Sequence, residues 1–197
     1  MAKPGERSAL TITAEDRNVE AYARALQSLG DKDGHRAMAR AINRVVDMAY
    51  TRVVRAVSQQ SSIKQALVRR DTGKRKIQPG RGGDLEGQIR AYGWPIPLRE
   101  FGAVQFKTGV RARVFGKLTR FPGTFINAGR YYTRNPVGAG HVFQRTTADS
   151  LPIERQDGPA VATELVRGRS ADVFQSLSAQ QLPIRIRHEL SGLLPTE

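Results

Sequence analysis

The residues able to do chemistry are few, and their spacing argues against an active site. Cysteine is absent, which removes thiol nucleophiles, disulfides and thiolate metal ligands together. The three histidines, His35, His141 and His188, are far apart and stand in no zinc-binding spacing. Asp31-Lys32-Asp33-Gly34-His35 superficially resembles a calcium loop, but Arg36 occupies the position that needs Gly and no Glu closes the loop. Its expected role is a turn, with Asp33 capping the helix that follows. Gly80-Arg81-Gly82-Gly83-Asp84-Leu85 breaks the dinucleotide fingerprint at its final position. Asp149, Glu154 and Asp157 are close enough in sequence to hold a nuclease metal, yet their turn-forming neighbours favour capping and solvation. No nucleophile, base and orienting group can be assembled, so the chain is expected to be non-enzymatic, with no cofactor and no metal.

Charge is the stronger signal. Lys and Arg outnumber Asp and Glu by 32 to 18, a net +14. Such an excess attracts polyanions over a screening length of about 10 Å, either nucleic acid or the acidic face of a neighbouring protein. The candidate DNA-facing or interface residues fall in three groups. Lys74, Arg75, Lys76 and Arg81 stand in a Gly-rich segment from Asp71 to Gly87, expected to be a long mobile loop. Arg36, Arg40 and Arg44, with Arg55 beyond them, form a basic stripe on a helix in which Asp47 is the only acid. Arg130 and Arg134 flank Tyr131-Tyr132, aromatics suited to base stacking or to a protein contact rim.

The elements that must position these residues follow from periodicity. One domain is expected, of α+β class: a small, mainly antiparallel sheet flanked by N-terminal helices and a C-terminal helix, with extended arms. Residues 1–70 are mainly helical, 71–87 the basic loop, 88–158 β-rich and 159–197 the C-terminal helical part. Ala9 to Thr13 reads as a strand. Val19, Tyr22, Leu26 and Leu29 mark one helical face, ended by Gly30. Met38, Ile42, Val45, Val46, Ala49, Val53 and Ala56 mark the longest helix, about His35 to Ser58, with the arginine stripe opposite. Ser61-Ser62 can cap a third short helix. Gln88 to Tyr92, Ala103 to Lys107 and Val110 to Phe115 read as strands, the last with a basic and an apolar face. Trp94-Pro95-Ile96-Pro97-Leu98 is an extended crossing segment, because each Pro removes a ladder donor. Phe121 to Ile126 is extended, and His141 to Arg145 is the last strand of the group. The final helix starts after Gly158-Pro159, Pro183 kinks or breaks it, and the remaining tail is expected to pack on a neighbouring subunit. No apolar run spans a membrane and no secretory leader opens the sequence, so synthesis in a cytoplasm is expected.

From Ile96 to Pro159 the sequence resembles the minor tail protein Z family of tailed bacteriophages and prophages. The matching phrases are Ile96-Pro97-Leu98, the Gly109 to Gly116-Lys117 hairpin, Phe121-Pro122-Gly123-Thr124-Phe125, Gly140-His141-Val142-Phe143-Gln144-Arg145, and Leu151-Pro152-Ile153 with Gly158-Pro159. Ala39-Arg40-Ala41-Ile42-Asn43-Arg44 also looks like that family's N-terminal half, whereas Asp71 to Gly87 departs from its pattern. The resemblance implies a structural protein of a long-tailed phage that completes the tail at its head-proximal end, helping head–tail joining and DNA passage. It further implies a virion location after assembly in the host cytoplasm. Tail terminator, tube and connector proteins become the expected partners, and a homo-oligomeric ring, six subunits by symmetry with the tube, the expected assembly. Non-specific contact with phage DNA would then explain the basic excess. The alternative is a basic nucleic-acid-binding module acting on the DNA end or in gene control.

Overall fold

The computed structural model describes residues 7–13, 31–79, 85–127 and 135–192. Its axis is α1, Asp31–Ser61, about 46 Å long at 1.5 Å per residue. The apolar arc expected for this helix is buried, and so are Ala37, Ala39, Ala41, Val54 and Val57 outside it. The helix is covered on two sides, which leaves only a narrow strip for its charges. Asp33 lies inside α1 and pairs with Arg36 at 3.1 Å, so the expected turn and cap are replaced by helix. At the other end the Ser61 hydroxyl donates to the Val57 carbonyl at 2.6 Å, and Ser62 takes a left-handed φ of 66°, which stops the helix. The serines therefore close α1. The short helix α2, Gln65–Arg70, starts only after Lys64. The expected helix around Val19 to Leu29 lies outside the described residues.

On one side of α1 lies a sheet of order β1–β3–β2, all antiparallel: β1 (Ser8–Thr13), β2 (Thr72–Arg75) and β3 (Glu86–Ala91). Contact with the helix is so close that Gly87 has no room for a side chain. A Cβ there would stand 2.7 Å from Val46 Cγ2 and 2.8 Å from Ile42 Cγ2. β2 corrects the expectation of a loop running from Asp71 to Gly87: Thr72 to Arg75 pair in register with Ala91 to Gln88. The unpaired edge of β3 supplied the ladder that the sequence of β2 does not advertise.

A second sheet contains β4 (Val104–Phe106), β5 (Gly109–Val114) and β6 (Lys117–Pro122), and a third contains β7 (Thr124–Phe125), β8 (Phe143–Arg145) and β9 (Ile153–Arg155). β8 is thus not the last strand; β9 pairs with it antiparallel. β5 behaves as its alternation requires, burying Val110, Ala112 and Val114 while Arg111 and Arg113 face out. Its turn into β6 is fastened to the end of α1: Phe115 N donates to the Ser61 carbonyl at 3.3 Å, and Gly116 N to Ser62 Oγ at 2.7 Å. Ile96 to Leu98 cross as expected, exchanging backbone hydrogen bonds with Gln156, Gly158 and Pro159.

The C-terminal helix is two pieces, α3 (Val161–Leu165) and α4 (Arg169–Ser191), separated by a break in which Gly168 has φ 60°. Pro159 precedes the Ala160 cap rather than occupying the first turn. Pro183 does not end α4. Leu182, Ile186 and Leu190 are buried, and their packing outweighs the hydrogen bond that Pro withholds. α4 runs antiparallel to α1 along its length. Arg40 Nε bonds Glu189 Oε2 at 2.5 Å, Arg185 donates to the Met48 sulfur, and Gln60 meets Ser170. The tail as far as Gly192 therefore packs one face on its own chain and leaves Ile184 on the other face, 57% exposed. One hydrophobic cluster draws on α1, α3, α4, β1, β3 and β5.

Candidate anion-binding site

Asp47, on the sheet-facing side of the α1 charge strip, gathers the lysines of the basic segment. Lys74 Nζ bonds its Oδ1 at 2.5 Å and Lys76 Nζ its Oδ2 at 2.6 Å. Partial burial works against ionisation of Asp47, but hydrogen bonds and charge from both lysines outweigh it and hold the carboxyl below its ordinary range. Lys74 also lies over the Tyr50 ring, 5.2 Å from its centre. One turn earlier, Asn43 acts as a surrogate strand. Its Nδ2 donates to the Ile77 carbonyl and its Oδ1 accepts from Ile77 N, both at 2.8 Å. These contacts pin the segment to α1, and the one carboxylate offsets one of the two lysine charges.

The helix stripe is partly consumed in the same way. Arg36 pairs with Asp33, and Arg40 with Glu189. Arg44 and Arg75 are exposed and make no ion pair with a described residue. Arg81, Arg130 and Arg134 lie outside the described residues. The structure thus brings Lys74 and Lys76 together around Asp47, and it leaves Arg36, Arg40 and Arg44 along one side of α1.

A different cluster is better placed for an external anion. Where α1 meets the first turns of α4, a cleft of about 250 Å³ is lined by Arg52, Arg55 and Arg169, with Gln59, Ser176 and Gln180. None of the three arginines has a carboxylate partner among the described residues. The N-terminal end of α4 adds its partial positive charge. Guanidinium donors with flanking amides and a hydroxyl suit a phosphate or carboxylate group. Periodicity points to Arg55 but not to Arg52 or Arg169, because the cleft depends on the antiparallel pairing of helices more than a hundred residues apart.

Below the cleft a buried polar node locks the α3–α4 break to α1. Glu164 is buried, paired with Arg167 and bonded by Gln60 Nε2 at 3.1 Å. Gln60 also accepts from Ser170 N at 3.2 Å. This node is satisfied internally and positions the cleft. The acidic trio does not converge. Asp157 accepts two bonds from Arg155, Glu154 stands opposite Gln144 on an exposed strand, and Asp149 offers its carbonyl to Arg145. Among the described residues no His, Asp and Glu side chains gather as a metal site, and no helix is long and apolar enough to cross a membrane.

A family model for prophage minor tail protein Z (GPZ) matches residues 18–195. The chain belongs to that family. The resemblance carried by the middle section therefore holds across nearly the whole length, helices included. No curated protein and no solved structure matches the chain. As a minor tail protein Z it is a structural component of a bacteriophage tail, located in the virion among other tail proteins.

Proposed function

We propose that this minor tail protein completes the tail at its head-proximal end, without catalysis, and helps the tail join the head and pass DNA. In this reading one domain repeats as a homo-oligomeric ring, six-fold by symmetry with the tail tube, beside terminator, tube and connector proteins. Family membership carries the structural part of the proposal. The DNA part rests on one observation: among the described residues, the cleft arginines Arg52, Arg55 and Arg169, with Arg44 and Arg75, have no carboxylate partner to neutralise them. Contacts of guanidinium with phosphate are independent of sequence and weaken with salt, as sliding passage requires.

Cryo-electron microscopy of intact virions tests the location. The expected result is this chain in a ring at the head–tail junction with the cleft turned to the channel. Absence from virions overturns the proposal. In solution, replacing Arg52, Arg55 and Arg169 together by Gln is expected to lower the salt dependence of duplex DNA binding by about two to three units of slope, since each phosphate contact adds about 0.9. Replacing Lys74 and Lys76 by Gln should alter it much less. An unchanged slope in the arginine variant removes the DNA contact from the cleft.

A further inference from the structure

The outer face of the β4–β5–β6 sheet groups side chains that repel one another or avoid water. Strand register sets Val104, Arg111 and Arg120 in one row, and Arg113 opposite Leu118 in the next. The Arg111 guanidinium lies over the Phe106 ring, 4.5 Å from its centre. Like charges directly opposite on one sheet face are destabilising, and no described acid pairs with Arg111, Arg113 or Arg120. Between them Val104, Phe106 and Leu118 are 55, 41 and 64% exposed. The opposite side of β5 is fully used in the core.

We propose that this face docks another protein of the virion, through a surface that presents carboxylates around an apolar centre. Three uncompensated guanidiniums call for anions. The exposed Val104 and Leu118 decide which kind. Covering them with apolar surface yields about 25 cal/mol per Å², and a hydrated phosphate backbone offers none. A second copy of this chain in a two-fold contact would bring the same arginines against themselves, on a protein already at +14. The cleft between α1 and α4 is a recess instead, its three arginines set among Gln59, Ser176 and Gln180 as well as Ala56, Val173 and Leu177, so the two surfaces divide the excess charge between them. The inference rests on the reading of the chain as a virion component and adds the face by which it is held.

Two full-length variants test it, each supplied in place of the native chain during phage assembly. Arg111→Gln with Arg120→Gln removes the charges. Val104→Ser with Leu118→Ser keeps every charge and removes the apolar centre. All four side chains are exposed, so cooperative melting is expected to persist. Both variants are expected to lower the copies per virion about tenfold or more, with no change of self-association by light scattering. The serine variant should bind duplex DNA within about twofold of native. Incorporation of the serine variant at the native level overturns the proposal, as does a loss of incorporation that follows a loss of self-association. Should the glutamine variant fail to fold, the serine variant decides alone. A native chain missing from virions defeats the tail-completion reading, whereas a native chain present with both variants incorporated normally defeats only the docking face.

Discussion

At the scale of single residues, Asp47 decides what the basic segment can do. It is the only carboxylate on its helix between His35 and Ser61, and it holds two lysines from another element. Composition shows those lysines; it does not show that a carboxylate from residue 47 lies beneath them. The pH consequence has a definite sign. The folded carboxyl titrates below its ordinary 3.8, so its stabilisation is full above that value and is lost as pH falls through the lower, folded value. Asp47→Asn is expected to reduce stability at about pH 7 by roughly 0.5–1 kcal/mol, modest because the cluster is half exposed. The difference from the native chain should narrow as pH is taken below 3.8 and through the lower, folded value. Denaturant melts at neutral and at acid pH check this, and an equal gap at both would show that the ion pairs contribute nothing. Glu100 behaves alike, its carboxyl held down first by the hydrogen bond from Lys64 and opposed by partial burial.

At the scale of elements, close approach of β3 to α1 sets the geometry of the first sheet. Gly87→Ala places a methyl against the Val46 and Ile42 branches and is expected to cost about 1–3 kcal/mol as the helix or strand gives way. Chemical denaturation measures it; a neutral result would mean that the two layers are more loosely packed than the distances say. The elements that sequence reveals are those with strong periodicity: α1 from its apolar arc, and β3 and β5 from their alternation. β2 and β9 escape notice because Thr72-Gly73-Lys74-Arg75 and Ile153-Glu154-Arg155 have little apolar pattern of their own. Each is a strand because a neighbour offers a free edge. For β2, Tyr50 also helps, its hydroxyl 3.2 Å from Thr72 Oγ1.

At the scale of the whole molecule, the helix pair α1–α4 is the chief long-range joint. Ending the chain after Pro183 removes the buried Ile186 and Leu190 and the Arg40–Glu189 pair. The two apolar side chains alone are worth about 3–6 kcal/mol, a large share of a typical domain's stability. The truncated chain is therefore expected to lose cooperative melting by circular dichroism, a folding defect that precedes any assembly defect. A melt like that of the native chain would mean that the last two turns contribute nothing to the core. The fold class and family were legible because they depend on local pattern and ordered phrases. The cleft was not, since Arg52 and Arg169 become neighbours only through that joint.

The joint also sets a clock. Arg40 meets Glu189 across 149 residues, and Gln60 meets Ser170 across 110. A ribosome adds about 5–20 residues per second, so roughly 7–30 s separate the making of Arg40 from that of Glu189. Through that interval the side of α1 that α4 will cover has no partner from its own chain. The nascent protein must carry an uncovered apolar side of that helix until α4 has been made.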